Sequence, residues 1–231
     1  MLTKDTFLDA ALNHVPFDGW SEATMQATRD ELDASEAEVQ ALFPRGALDL
    51  ALAYHKAGDA EMVAQLKAAN LDEMRFRDRI AAGVKIRLKL ADKEMVRKGM
   101  AFFALPQNAA DGSAALWGTC DAIWNTLGDS SQDVNWYTKR ATLSAVYTST
   151  VLYWLGDDSD GHAATWAFLD RRIDNVMQFE KVKAQARKNP LFKSFMAGPG
   201  KCLDLIKAPG ARDMNPNYPG RWAPTSPNGD T

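Results

Sequence analysis

Acid–base or metal chemistry in this 231-residue chain would have to start from three histidines, His14, His55 and His162, which fall in separate segments. There is no HExxH or ExxH pair, and no set of paired carboxylates at a spacing that would turn them inward to a metal. Gly198-Pro199-Gly200-Lys201 has part of a phosphate-binding loop. The full loop needs glycine where Phe195 stands and Ser or Thr where Cys202 stands. The acidic turn 156–161 fails as a calcium loop, because Gly156 holds the first ligand position and Ala167 the twelfth. No GxSxG elbow occurs. With no constellation for proton transfer or nucleophilic attack, the chain is expected to have no catalytic activity, no metal and no cofactor.

What does stand out is Asn135-Trp136-Tyr137-Thr138-Lys139-Arg140, two large aromatics beside two cations. A buried core needs none of that charge, so the run reads as a docking surface for another protein. A second candidate is apolar. The segments 92–105 and 109–127 carry Met100, Phe102, Phe103, Leu116, Trp117, Ile123, Trp124 and Leu127 with small residues such as Gly99, Ala101, Ala104, Gly118 and Ala122 between them. Mixed large and small side chains can leave a channel for a lipid tail between helices, and they can equally fill a tight core. With Tyr147, the residues Met100, Phe103, Leu116, Trp117, Ile123, Trp124 and Leu127 are the expected pocket lining.

These residues must be positioned by helices. The apolar spacing is helical almost throughout, and no run alternates with period two for long. Helices are predicted over 4–14, 21–32, a short stretch after Ser35, 47–66, 71–90, 92–105, 109–127, 135–155 and 162–188. Ser35 with Glu38 three residues on makes a capping box, and Leu105-Pro106-Gln107-Asn108 breaks one junction. Three short helices followed by a bundle of longer ones resemble the layout of the TetR-type regulators: a helix-turn-helix head, then a bundle whose last two helices dimerise. The apolar stripes Leu143, Val146, Tyr147, Val151, Trp154 and Trp166, Leu169, Ile173, Val176, Met177 suit helix packing. They can face the chain's own core or a second copy. The expected organisation is an all-α chain with a head over 1–46 and a ligand-binding, dimerising bundle over 47–188. A basic amphipathic segment follows over 189–207, and an extended or disordered tail over 208–231, which holds five of the ten prolines.

Charge divides the chain. Residues 1–46 hold nine acidic side chains against three basic, and 181–207 hold seven basic against one acidic. The counterpart of a recognition helix, 35–42, carries Glu36 and Glu38 and no Lys or Arg, which disfavours phosphate contact in the major groove. No nucleic-acid partner is expected. In the basic segment, Leu191, Phe192, Phe195, Met196, Leu203 and Ile206 fall along one side of a helix, the pattern of an element lying in a membrane interface. The alternative is a terminal helix folded back on the bundle. No apolar run is long enough to span a bilayer, no cleaved signal is evident, and Cys120 and Cys202 have no zinc-like or CxxC spacing. The expected location is cytoplasmic and peripheral at the inner membrane.

Several stretches together resemble one family, the coenzyme Q (ubiquinone) biosynthesis accessory proteins that are ninth in the Coq series. They are HVPFDGW at 14–20, MRFRDRIAAGVKIRL at 74–88, Leu105-Pro106-Gln107-Asn108, DVNWYTKRATLSAVY at 133–147 and TWAFLDRRIDNVM at 165–177. The resemblance runs over about 4–180 and suits a bacterial member. It implies a TetR-like fold without DNA binding, a homodimer, and a bound lipid such as an isoprenoid quinone precursor or a phospholipid. It also implies contact with a membrane surface through the C-terminal amphipathic helix. The implied partner is the di-iron hydroxylase of demethoxyubiquinone, with Trp136, Tyr137 and Arg140 matching the docking patch. A TetR-type ligand-sensing regulator is the alternative reading.

Overall fold

The computed structural model describes residues 2–188 and 208–209, and of 179–188 the backbone alone. The helices are α1 (Lys4–Ala11), α2 (Val15–Asp18), α3 (Glu22–Glu31), α4 (Glu36–Leu42), α5 (Ala47–Ala68), α6 (Phe76–Lys89), α7 (Lys93–Phe103), α8 (Ala109–Thr126), α9 (Val134–Leu155) and α10 (Ala163–Lys188). No strand occurs among the described residues, as the helical periodicity predicts.

Local chemistry sets the boundaries. Ser21 accepts from Thr24 N at the start of α3, and the Ser35–Glu38 capping box opens α4. Asp92 and Asp133 accept from the first backbone N–H groups of α7 and α9. Gly128, with φ +80, takes the left-handed conformation that ends α8 and turns the chain into the loop before α9. The helix predicted over 4–14 ends at Ala11. VPFD at 15–18 forms a one-turn helix because Pro16 sits in the first turn, where its missing N–H costs nothing. The helix predicted over 71–90 begins only at Phe76, after a turn.

Two apolar cores result. The head core gathers Phe7, Ala11, Val15, Trp20 and Phe43 with Leu50 and Ala51 of α5. The bundle core gathers Met62 of α5 with Val84, Leu88, Ile123, Leu143, Trp154, Leu169 and Ile173. The long helix α5 therefore belongs to both and ties the head to the bundle. The predicted stripes of α9 and α10 are mostly used inside the chain, since Leu143, Val151, Trp154, Leu169 and Ile173 are all buried. Outside that stripe, Leu152 (57% exposed) and Tyr153 (40%) remain open on α9, and Tyr153 stacks on Phe168 with ring centroids 4.6 Å apart.

The basic segment 189–207 lies outside the described residues. So do the expected membrane-contact residues Leu191, Phe192, Phe195, Met196, Leu203 and Ile206, and most of the tail. Beyond that segment Ala208 N donates to Gln132 O at 2.9 Å, beside the start of α9. No helix among the described residues is long and apolar enough to cross a membrane.

Leu169, fully buried where α10 meets the bundle core, reports on that packing. Leu169→Ala is expected to lower the unfolding free energy by about 2–5 kcal/mol, read as a lower urea midpoint by circular dichroism.

Candidate functional site

A cavity of about 360 Å³ opens among α5, α6, α7, α8 and α9, within the lower part of the range of about 300–1000 Å³ usual for ligand pockets. Its walls are mainly apolar. Trp20, Leu88, Met95, Met100, Phe103, Leu116 and Val151 contribute side chains, and Ala51, Gly99, Ala104, Ala109, Gly112 and Ala115 leave the space between them. Gly112 is there because α7 and α8 nearly touch, and a Cβ on it would come within 2.7 Å of Phe103 Cβ.

Of the eight expected lining residues, Met100, Phe103, Leu116 and Tyr147 line this cavity, and Trp117, Ile123, Trp124 and Leu127 do not. The reason is register along α8. Ile123 lies two turns beyond Leu116 on nearly the same face, past the end of the cavity. There Gly83 brings α6 so close that a Cβ would meet Ile123 Cγ2 at 3.0 Å. Trp117 turns away and packs on Trp136, ring centroids 5.9 Å apart. Trp124 packs on Phe76 (5.5 Å) and lines a second, smaller cavity of about 250 Å³ with Phe76, Ile80, Leu143 and Ile173. Leu127 packs against the bundle core.

The first cavity also has a polar pole that spacing arguments missed. Arg87 of α6 is only 4% exposed, and its Nε donates to Asp59 Oδ1 of α5 at 2.7 Å. Thr119 Oγ1 of α8, 3.0 and 2.9 Å from the two Asp59 oxygens, donates to the same carboxylate. His55 Nε2 lies 2.8 Å from Thr119 Oγ1, 3.2 Å from Ala115 O and 3.4 Å from Asp59 Oδ2. Burial pushes the Asp59 carboxyl up, but His55 and then Arg87 outweigh it and hold the group below the usual range. Burial also raises the phenol of Tyr147 to about 12 and the thiol of Cys120 to about 11, so both stay neutral near pH 7. The legible trace of this pole is the i, i+4 pair His55 and Asp59, which share one helix face, with Gly58 inside the same helix.

Trp136 and Tyr137 sit at the start of α9, their rings edge to face with centroids 4.7 Å apart. Trp136 is half-buried and Tyr137 exposed. Arg140 differs from its sequence reading: it is fully buried, so it cannot touch a partner directly. Its guanidinium lies 4.0 Å from the Trp136 ring centroid. Its Nε donates to Asp121 (2.5 Å), its Nη1 to Asp129 (2.9 Å) and to Trp136 O (3.1 Å), and its Nη2 to Asn125 (2.9 Å). The cation that read as surface charge is the post on which the indole is mounted. Lys139, also in the run, donates to Asp129 at 2.8 Å and lies over the Trp124 ring. Among the described residues, no group of three or more His, Cys, Asp or Glu is placed to hold a metal ion.

With the cavity and the patch located, relatives can be compared on the same residues. A family model described as COQ9 matches residues 109–180, which include α8, the Arg140 network and the Trp136 patch. The ubiquinone biosynthesis protein COQ9, mitochondrial, of Drosophila melanogaster is 33% identical over 187 residues, covering 77% of this chain and 56% of that protein. The chain is similar to the COQ9 proteins over about three quarters of its length. The probable COQ9 protein of Dictyostelium discoideum is 28% identical over 188 residues, covering 78% of this chain and 61% of its own. The chain thus spans little more than half the length of these two COQ9 proteins. Among solved structures, a TetR transcriptional regulator from Nitrosomonas europaea superposes with a TM-score of 0.61 at 19% identity, covering 74% of this chain and 95% of that one. The fold is all-α and TetR-like.

Removing the cation from beneath Trp136 leaves Asp129 and Asp121 without their arginine. Arg140→Met is expected to destabilise the fold by about 3–5 kcal/mol, read as a fall in urea midpoint. Asp129 predicts an acid effect of definite sign. Burial alone would raise its carboxyl, but hydrogen bonds from Lys139, Ser131 and Arg140 hold it well below the ordinary value of about 3.9. Its contribution is therefore complete above about pH 4 and lost as the pH falls further. Asp129→Asn should be less stable than the parent at pH 7 and lose less on acidification from pH 5 to 3, in urea titrations across that range.

Proposed function

We propose that this protein is a non-catalytic accessory protein of ubiquinone biosynthesis that binds a polyprenyl quinone intermediate and presents it to the demethoxyubiquinone hydroxylase. The observation that carries the reading is an apolar cavity and an aromatic patch built on the same two helices, α8 and α9, of a chain similar to the COQ9 proteins. A polyprenylated intermediate is nearly insoluble in water, so an enzyme acting on it gains from a protein that takes it up and brings it to the enzyme. That task needs an apolar pocket and a partner surface, and it needs no catalytic group. Trp136 and Tyr137 form the surface for the hydroxylase, and Arg140 positions Trp136 from below. A homodimer through the outer faces of α9 and α10, where Leu152 and Tyr153 stay open, completes the assembly. The basic segment 189–207 supplies the contact with the membrane surface from which the lipid is drawn.

The fold it shares with a transcriptional regulator does not carry DNA binding with it. Glu36 and Glu38 put negative charge on α4, and Gln40 Nε2 is tied to Pro44 O at 2.9 Å.

Trp136→Lys places an extra cation in the patch without touching the cavity. It is expected to abolish co-purification with the hydroxylase while leaving the helical signal and the organic-extractable isoprenoid of the purified protein unchanged. Undiminished co-purification would reject the patch, and a protein that never carries an extractable lipid when isolated from cells would reject the carrier role.

A further inference from the structure

Arg87 uses part of its hydrogen-bonding capacity and keeps the rest beside the cavity. Among the described residues, its acceptors are Asp59 Oδ1, from Nε, and His55 O, 3.2 Å from Nη2. A guanidinium has five N–H donors, all in its own plane, and Nη1 has none of these partners. The plane is fixed by Gly58. A Cβ there would stand 2.8 Å from Cζ, 2.8 Å from Nη1 and 2.9 Å from Nη2. Three nearly equal distances mean that the guanidinium lies face down on the helix, so its N–H bonds do not point at Gly58. Arg87 is 4% exposed and lines the cavity. Glycine in a helix interior costs about 1 kcal/mol relative to alanine, and its place here is explained by the arginine laid across it.

His55 adds the complementary function. Its Nε2 faces the acceptors Ala115 O and Asp59 Oδ2, so that nitrogen carries the hydrogen. In the neutral ring Nδ1 is then an acceptor, and it has no partner among the described residues. Asp59 and Arg87 pair at this pole. A bound anion would add a second negative charge beside Asp59, whereas a neutral oxygen needs only the donor.

We propose that Arg87 and His55 form a head-group subsite in this cavity, which takes the oxygen-bearing ring of a neutral amphiphile. The inference rests on the carrier reading above and deepens it by fixing which end of the cargo lies inward. A carbonyl oxygen accepts from Arg87 Nη1, and a ring hydroxyl, where the ligand has one, donates to His55 Nδ1. The tail runs along Met100, Phe103 and Leu116.

Calorimetric titration of the full chain with 2-decyl-1,4-benzoquinone, decylbenzene and decyl phosphate tests this. The quinone is expected to bind at least about tenfold more tightly than decylbenzene, the scale of one hydrogen bond to a charged donor. Gly58→Ala pushes the guanidinium off its seat without changing any charge. It should weaken quinone binding about tenfold and leave decylbenzene binding unchanged. Equal affinity for quinone and decylbenzene, or equal loss of both in the variant, overturns the subsite and leaves the carrier role standing. Decyl phosphate binding as tightly as the quinone overturns the neutral head. Binding of none of the three overturns the carrier role and the subsite with it. Should the variant not fold, the infrared carbonyl stretch of quinone bound to the parent protein decides. A shift to lower frequency than in alkane supports the subsite, and an unshifted band overturns it.

Discussion

A guanidinium taken out of water must bring its counter-charge with it, and two arginines of this bundle impose that condition on everything around them. Arg87 is 4% exposed and Arg140 not at all. The first is answered by Asp59 from α5, the second by Asp121 from α8 and Asp129 from the loop that follows it. Helix α8 takes part in both. Its Thr119 donates to the carboxylate that holds Arg87, and its Asp121 and Asn125 accept from Arg140. A rotation of α8 that improved one site would break the other, so its orientation is set by charge as well as by packing. Hydrophobic burial supplies most of the driving force for folding but is non-directional. The ionic contacts are what make one azimuth of α8 correct.

That azimuth is what leaves the cavity open. With Thr119 turned to Asp59, the small residues Ala109, Gly112 and Ala115 face α7 and α5, and Leu116 forms part of the wall. Gly112 lets α8 approach Phe103 so closely that the two helices seal one side. On the other side Trp20 is held by a hydrogen bond from Nε1 to Met95 O at 3.3 Å, and its ring packs on Tyr54. Lining residues on either side of the cavity also pack into the head core and the bundle core.

The sequence was legible where the physics is local. Helical periodicity, the Ser35–Glu38 box and the turn around Pro106 give the helices and their order within a few residues. The Trp136–Tyr137 run was equally visible, because large aromatics beside cations are conspicuous in one dimension. Arg140 was misread for the same reason. A cation in a string of letters looks solvent-facing, and the aspartates that permit its burial stand 19 and 11 residues away in sequence. The cavity was half legible: Met100, Phe103, Leu116 and Tyr147 line it, while Ile123 and Trp124 have the right chemistry at the wrong height on α8. Height depends on where α6 crosses, and only Gly83, small enough to let it cross, hints at that. The polar pole needed three helices to exist. His55 and Asp59 could be paired from spacing, but nothing local says that Arg87 and Thr119 join them.

Cavity and patch are separated by very little protein. Leu116 faces the cavity and its neighbour Trp117 packs on Trp136, so one residue step along α8 passes from one to the other. Tyr147 lines the cavity on the same helix that carries Trp136 and Tyr137 at its start, about three turns away. No hinge is needed to relate the cavity to the aromatic patch, since both are fixed by the azimuth of the same two helices. In this TetR-like fold α5 joins the head core to the bundle core. The Trp136–Tyr137 pair lies on the bundle, at the start of α9. The cavity is bordered on one side by Trp20, Ala51 and Met95 of the head core and on the other by Leu116, one residue from the Trp117 that packs on Trp136, so α8 and α9 fix how the cavity sits relative to both.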